Sequence, residues 1–261
     1  MIERYSYGTR IKSYETDYRL ELKTSALLQH FQDAAVEHAT KLGVGYDDMK
    51  KNDLFWVVTR FHIEIERMPV YDEAIEVSTW PKKFEALSQK TSSKEKEDFI
   101  FFRDFFIKDG NGNPLIRATS SWVMLDFKKK SPQPLSRVPY QFPINEGVHA
   151  IAVIPQKIPE AKNPTLIYSK RVGYSDIDLN LHVNNTRYAD WVMDVFSHNF
   201  LESHILKSME INYIHEVFWG DIIDFFQGKG KNENSFIIEG IEKHTKKVSF
   251  RALMKFEDVC D

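Results

Sequence analysis

Residues 24–43, TSALLQHFQDAAVEHATKLG, predict a long buried helix around which the first half of the chain is arranged. The apolar residues recur at three- and four-residue spacing, which is the pattern of one helix face. Thr24-Ser25 and Gly43 are residue types that begin and end helices. The apolar face is wide, so we expect the helix to be largely buried. His38 lies on that face and is expected to be packed or hydrogen-bonded.

An antiparallel meander is predicted to follow this helix. The strand-like runs are residues 55–65, 74–80, 99–107 and 115–127. The last two are joined by DGNGN at 109–113, which is a strong hairpin signal. These glycines match neither a P-loop nor a dinucleotide fingerprint. A helix followed by a meander predicts an α+β fold in which a sheet wraps the helix.

A proline-rich segment divides the chain. Seven of the ten prolines stand between residues 128 and 164, at positions 132, 134, 139, 143, 155, 159 and 164. Proline removes a backbone donor and disfavours both helix and sheet interior. We therefore predict an N-terminal domain at 1–130, a linker at 131–164 and a C-terminal domain at 165–261.

The second domain is predicted to repeat the order of the first. Its strand-like runs are residues 166–172, 209–218, 222–226, 236–241 and 248–256, and a second amphipathic helix follows residue 185. The turn segments 69–73 and 218–222 occupy matching places between two strands. This order suggests a duplicated fold.

The polar stretch SDIDLNLHVNNTRY at 175–188 sets the second half apart. Asp178, Asn180 and His182 alternate with apolar residues, so in an extended segment they would share one side. Asn184 or Asn185 is a candidate N-cap for the helix that follows. Turns also favour Asp and Asn, which is the competing interpretation. The approach to the first helix, LELKT at 20–24, contains nothing similar.

Composition excludes several classes of function. A net charge of −3 gives no general affinity for nucleic acid or membranes, and no run approaches the length of a spanning helix. One cysteine, Cys260, cannot form an intrachain disulfide, which suits a cytoplasmic location. No His-Glu-x-x-His is present, so we predict neither a metal nor a cofactor.

The chain resembles the fatty acyl-ACP thioesterases of plant plastids and bacteria along nearly its whole length. The resemblance rests on the first helix, ATSSWVM at 118–124, the proline-rich linker and above all D-x-N-x-H-V-N-N at 178–185, followed by Tyr188 and Trp191. It implies two tandem hotdog folds and hydrolysis of the thioester between a fatty acyl chain and acyl carrier protein. Because no transit peptide is seen, we expect a bacterial member.

The resemblance also implies which residues act. The catalytic residues are expected to be Asp178, Asn180, His182 and Glu216. Where plant relatives carry a cysteine, this chain has Val217, so a carboxylate must activate water instead. Asp178 and Glu216 are both candidates for that base. The main-chain N–H groups of Val183 and Asn184 are expected to stabilise the oxyanion.

The acyl chain is expected to run toward Leu27, Phe31 and Ala35, although each is equally explained as core. Acyl carrier protein is acidic, so its docking patch should be basic. The candidates are Lys82-Lys83, Lys128-Lys129-Lys130, Arg187 and Lys246-Lys247. The alternatives are an acyl-CoA thioesterase, a hydratase or dehydratase, and a non-catalytic acyl-binding module. A homodimer is expected.

Overall fold

The computed structural model describes residues 3–82, 99–138, 143, 145 and 147–259. The strands, in chain order, are β1 Tyr5–Arg10, β2 Leu54–Ile65, β3 Ala74–Lys82, β4 Ile100–Asp109, β5 Pro114–Asp126, β6 Pro132–Gln133, β7 Lys162–Arg171, β8 His204–Tyr213, β9 Ile222–Lys229, β10 Ser235–Glu242 and β11 Val248–Asp258. The helices are α1 Thr24–Lys41, α2 Tyr46–Lys51, α3 Arg187–Met193 and α4 His198–Ser203. Within these residues, no helix has the length and apolar character that crossing a membrane requires.

One antiparallel sheet runs through both halves. Its order is β1-β3-β4-β5-β2-β8-β11-β10-β9-β7, and β6 pairs with the outer part of β5. The halves join where β2 pairs with β8, with Arg60 opposite Asn212 and Glu64 opposite Ser208. Each half therefore supplies a meander around its own helix, which is the predicted α+β architecture of two tandem hotdog folds.

The predicted first helix is confirmed as α1, and its apolar face forms the core of the first half. Phe31 is fully buried and stacks on Phe105 of β4 at 4.6 Å between ring centroids. Burial of one such side chain stabilises the fold by about 2–3 kcal/mol. Leu27 and Ala35 are also buried in this core. His38 is buried and lies 3.0 Å from the Arg103 guanidinium, as expected for a packed histidine.

The second half was predicted to have one amphipathic helix after residue 185, and the two short helices α3 and α4 take its place. Ser197 accepts a hydrogen bond from the Phe200 N–H and caps α4, so a new helix begins there. Val195 and Phe196, just before that cap, are buried between the two helices. Packing of these side chains holds the break in place.

The predicted hairpin at 109–113 is confirmed by a hydrogen bond from the Asp109 N–H to the Asn113 carbonyl, at 3.0 Å. Gly112 takes the left-handed conformation that this turn requires, with φ of 87°. The strand predicted at 209–218 has the wrong bounds, since β8 runs from His204 to Tyr213 and residues 214–218 leave the sheet. Likewise β6 and the first residues of β7 belong to the sheet, although the prolines predicted a linker there.

Polar side chains of the sheet bind the linker at residues 150 and 151. Lys82 and Asp104 form a fully buried ion pair of 2.9 Å. Lys82 also donates to the Ile151 carbonyl, and Asp104 accepts from the Ala150 N–H, each at 2.8 Å. The linker is therefore bound to the first half, and Lys82 cannot belong to an exposed docking patch. That prediction was wrong because the sequence does not show the buried carboxylate beside it.

Candidate active site

The polar stretch folds as a tight turn between Asp178 and His182. The Asp178 N–H donates to the His182 carbonyl at 2.8 Å, and the Leu181 N–H donates to the Asp178 carbonyl at 3.0 Å. Leu181 completes the turn with a positive φ of 64°. The expectation of an extended segment is therefore wrong. The main chains of Asp178 and His182 are paired at the two ends of the turn, and Asn180 lies near its tip.

His182 is brought against Glu216, which is 34 residues away in sequence. The main chain of His182 bridges that of Phe218, and the neighbouring Val183 N–H donates to the Val217 carbonyl at 2.9 Å. This pairing leaves the His182 Nδ1 atom 3.5 Å from Glu216 Oε1. The side chains are 26% and 51% exposed, so a small molecule can reach both. The Phe218 ring meets the imidazole edge-on at 5.0 Å.

Asp178 and Asn180 are tied to the turn itself. Asp178 Oδ1 accepts a hydrogen bond of 2.8 Å from the Asn180 N–H, which is the usual way in which aspartate stabilises a turn. Asp178 is half-buried, and Asn180 is exposed. One carboxylate oxygen of Asp178 therefore stabilises the turn.

Two tyrosines that sequence reasoning did not assign to the site lie beneath it. Tyr188 is buried, and its ring meets that of Tyr213 at 5.5 Å. Burial raises the pKa of the Tyr188 hydroxyl, and the nearby charges of Asp178 and Glu216 contribute in the same direction. The Tyr188 hydroxyl therefore stays protonated. The sequence did contain a signal for Tyr188, because this residue lies on the apolar face of a predicted helix. A tyrosine buried there needs a polar partner for its hydroxyl.

The main-chain donors expected for an oxyanion are already in use. The N–H groups of Val183 and Asn184 each donate to a main-chain carbonyl at 2.9 Å. Neither N–H group is therefore a free donor in this structure, and their role at an oxyanion stays a prediction. The Thr186 N–H donates to Asn184 Oδ1, and the Arg187 N–H donates to the Asn184 carbonyl. Among residues 183–187, only the Asn185 N–H has no acceptor within the described part of the chain.

The same turn occurs in the first half, contrary to expectation. The Asp17 N–H donates to the Glu21 carbonyl at 2.9 Å, and Leu20 takes a positive φ of 63°. The Leu22 N–H donates to the Pro69 carbonyl just as the Val183 N–H donates to Val217. The equivalent pairs are Asp17 with Asp178, Arg19 with Asn180, Glu21 with His182, Pro69 with Val217 and Val70 with Phe218. The sequence predicted that residues 69–73 match residues 218–222. The structure instead matches Pro69 with Val217, so the predicted alignment is wrong by one residue.

The remaining candidates lie in the core or at the surface. Leu27, Phe31 and Ala35 are packed in the core, and their contact with an acyl chain stays a prediction. Lys128, Lys246 and Lys247 are exposed, and Arg187 lies 3.5 Å from Asp190 on α3. Lys83 and Cys260 fall outside the described residues. In the part of the chain that is described, no three His, Cys, Asp or Glu side chains converge as metal ligands.

Two family models match this chain end to end. The acyl-ACP thioesterase N-terminal domain matches residues 3–139, and the acyl-ACP thioesterase C-terminal domain matches residues 160–257. Among similar proteins, the palmitoyl-acyl carrier protein thioesterase of Cuphea hookeriana is 30% identical over 223 residues, which is 79% of this chain and 50% of the relative. The dodecanoyl-[acyl-carrier-protein] hydrolase of Cinnamomum camphora is 29% identical over 222 residues, 79% of this chain and 54% of the relative. The chain thus spans about half the length of the curated relatives it matches.

Solved structures agree on the fold. An acyl-ACP thioesterase from Bacteroides thetaiotaomicron is similar with a TM-score of 0.83, 24% identity and 98% coverage of both chains. The 12:0-ACP thioesterase of Umbellularia californica gives a TM-score of 0.76 at 22% identity, again over 98% of both chains. With both family models matched, in order and across almost the whole sequence, the chain belongs to the acyl-ACP thioesterase family.

Proposed function

We propose that this protein hydrolyses the thioester bond of fatty acyl-ACP, releasing a free fatty acid and holo-ACP, through water activated by a histidine–carboxylate pair. The observation that carries the proposal is the 3.5 Å contact between His182 Nδ1 and Glu216 Oε1 at an accessible position. Val217 stands beside it, fully buried and without a thiol, so a cysteine nucleophile at that position is excluded.

In this mechanism Glu216 holds the proton of His182 on Nδ1, and the unprotonated Nε2 accepts a proton from water. The separation exceeds an ideal hydrogen bond, but such contacts often tighten when substrate binds. The water oxygen attacks the thioester carbonyl carbon and its proton passes to Nε2. When the carbon–sulfur bond breaks, the imidazolium returns that proton to the departing thiolate. Between these two proton transfers, Glu216 stabilises the imidazolium, as the carboxylate does in catalytic triads.

The developing oxyanion needs a donor that is not already occupied. The Asn185 N–H meets that requirement better than Val183 or Asn184, whose N–H groups are bonded to main-chain carbonyls. Asn180, exposed near the tip of the turn, is proposed to orient the water through its side-chain amide. Asp178 is assigned to hold the turn, with a weaker electrostatic contribution to the pair.

The acidic carrier protein is proposed to dock on the accessible basic residue that is closest in sequence to the site. Arg187 follows His182 by five residues and is only half-buried. Its partner Asp190, at 3.5 Å on an exposed surface, does not hold it firmly. Arg187→Glu should therefore raise KM for acyl-ACP, with a smaller salt dependence than wild type, and leave kcat unchanged. Equal KM values for the two proteins would place the docking patch elsewhere.

The experiment that tests the function is thiol release from a panel of acyl-ACPs of different chain lengths, in parallel with the matching acyl-CoAs. The proposal predicts a higher kcat/KM for acyl-ACP than for acyl-CoA of the same length. A preference for acyl-CoA would identify the alternative thioesterase. Binding without thiol release from either donor would identify a non-catalytic acyl-binding module.

A further inference from the structure

Tyr213 holds the main chain between the candidate pair and the helix that follows it. It is the last residue of β8, and its hydroxyl donates to the Asn185 carbonyl at 3.0 Å. Burial raises the pKa of the Tyr213 hydroxyl, so the group stays protonated and remains a donor. On the other side of the same peptide, the Thr186 N–H donates to Asn184 Oδ1 at 2.9 Å. The peptide between Asn185 and Thr186 is therefore fixed at both of its polar atoms.

A second tyrosine holds the same helical segment further along. Tyr168 of β7 donates its hydroxyl to the Trp191 carbonyl at 2.7 Å. Burial also raises the pKa of Tyr168. Both residues thus make one neutral hydrogen bond from a strand to a main-chain carbonyl. They differ in place, because Trp191 lies nine residues beyond His182, whereas Asn185 lies three residues beyond it.

The first half has an equivalent for only one of these tyrosines. Tyr7 of β1 occupies the place of Tyr168 and also reaches α1, through a 2.8 Å contact with His30. The place of Tyr213 is taken by Ile65, which pairs with Ile116 as Tyr213 pairs with Phe250. The strand-to-helix tyrosine is therefore common to both halves, and the Tyr213 hydroxyl is particular to the half that carries the histidine–carboxylate pair.

We infer that Tyr213 is a positioning residue for the reaction, a role that rests on the proposed function. Its hydroxyl fixes the Asn185 carbonyl and with it the short segment that carries His182 at one end and the unoccupied Asn185 N–H in the middle. A small displacement of groups around a reacting centre lowers turnover much more than it lowers affinity. Tyr213 touches no reacting atom in this account. It acts through the main chain alone.

The test compares Tyr213→Phe with Tyr168→Phe, since each removes one hydroxyl and keeps the ring. Thiol release from the acyl-ACP that wild type hydrolyses best is measured well below both unfolding midpoints. We expect kcat of Tyr213→Phe to fall by about tenfold to a hundredfold, with KM unchanged. Tyr168→Phe should keep the kcat of wild type. The two Tm values should fall by similar amounts, because the lost bonds are of the same kind.

Equal losses of kcat in the two variants, or an unchanged kcat in Tyr213→Phe, would overturn the positioning role. If Tyr213→Phe does not fold, Asn184→Ala, which removes the acceptor of the Thr186 N–H, tests the same peptide from its other side, and unaltered turnover there would also overturn it. The wild-type protein and His182→Ala separate this inference from the proposed function. No thiol release by wild type, or full release by His182→Ala, would remove the function itself.

Discussion

The two halves of the molecule build the same turn and place different side chains on it. In each, an aspartate N–H donates to a carbonyl four residues on, and a leucine adopts positive φ. Two residues after that leucine, a main-chain N–H donates to a carbonyl in a loop that is distant in sequence. The chemistry differs at the equivalent positions. Glu21 stands where the second half has His182, and Met68 stands where it has Glu216. The two halves therefore share a main-chain scaffold, and the side chains at these two positions make the difference.

The comparison also separates structural from chemical aspartates. Asp17 Oδ1 accepts from the Arg19 N–H at 2.8 Å, as Asp178 Oδ1 accepts from the Asn180 N–H. No histidine stands at the other end of the first turn, so Asp17 is present for the turn alone. The same contact in the second half cannot then be taken as a sign of catalysis. It makes Glu216 the stronger candidate for the carboxylate that supports His182.

The largest effect is expected for His182→Ala, with Glu21→Ala as its matched control at the equivalent position of the first half. Loss of the imidazole should lower kcat/KM for acyl-ACP by about a hundredfold or more, because the water loses its base. Glu21→Ala should hydrolyse acyl-ACP as fast as wild type. Thiol-release kinetics on both proteins check this. A comparable loss in Glu21→Ala would break the division of labour between the halves.

An intermediate effect is expected for Asp178→Ala, paired with Asp17→Ala. Each change removes the side-chain acceptor of one turn, so both should lower stability by about 1 kcal/mol and Tm by about 2–4 °C. Only Asp178→Ala should also lower kcat, by about tenfold, because its turn carries His182. Thermal unfolding and turnover are measured on the same samples. A loss of kcat as large as that of His182→Ala, without a change in Tm, would make Asp178 the base instead.

The smallest effect concerns His30, which stands in the first half where Trp191 stands in the second. Its Nδ1 lies 2.8 Å from the Tyr7 hydroxyl, and its Nε2 lies 3.2 Å from Glu15 Oε1. Burial lowers the pKa of His30, although Glu15 opposes the shift. The native state therefore binds fewer protons here than the unfolded state. The stability gained is present above the ordinary histidine pKa of about 6.5 and is lost as pH falls below it.

Urea unfolding of wild type should accordingly give a lower free energy of unfolding at about pH 5.5 than at about pH 7.5. In His30→Gln this difference should shrink. It should not vanish, because burial also lowers the pKa of His62. An identical pH dependence in the two proteins would show that His30 is not the group responsible.

Much of the fold could be predicted because local signals and burial agree. Residues 24–43 combine a helical period with end signals, and 109–113 can form little except a hairpin, so both predictions are confirmed. The family resemblance likewise indicated His182 and Glu216 as site residues, and the structure places these two side chains 3.5 Å apart. The alternation of polar and apolar residues in 177–183 predicted an extended segment, and this prediction was wrong. Leu181 adopts a positive φ, which is rare for leucine, and the segment forms a turn. The burial of Lys82 depended on Asp104, a neighbour that exists only in the folded chain.

The most direct test of the central claim is a double-mutant cycle on His182 and Glu216, read as kcat for acyl-ACP hydrolysis. If the two side chains form one catalytic unit, Glu216→Gln should lower the kcat of the wild-type enzyme strongly. The same change should not lower the kcat of His182→Ala further. The double variant His182→Ala/Glu216→Gln should then be as active as His182→Ala alone. Losses that multiply in the double variant would show that the two residues act independently, and the pair would not be the origin of the activity.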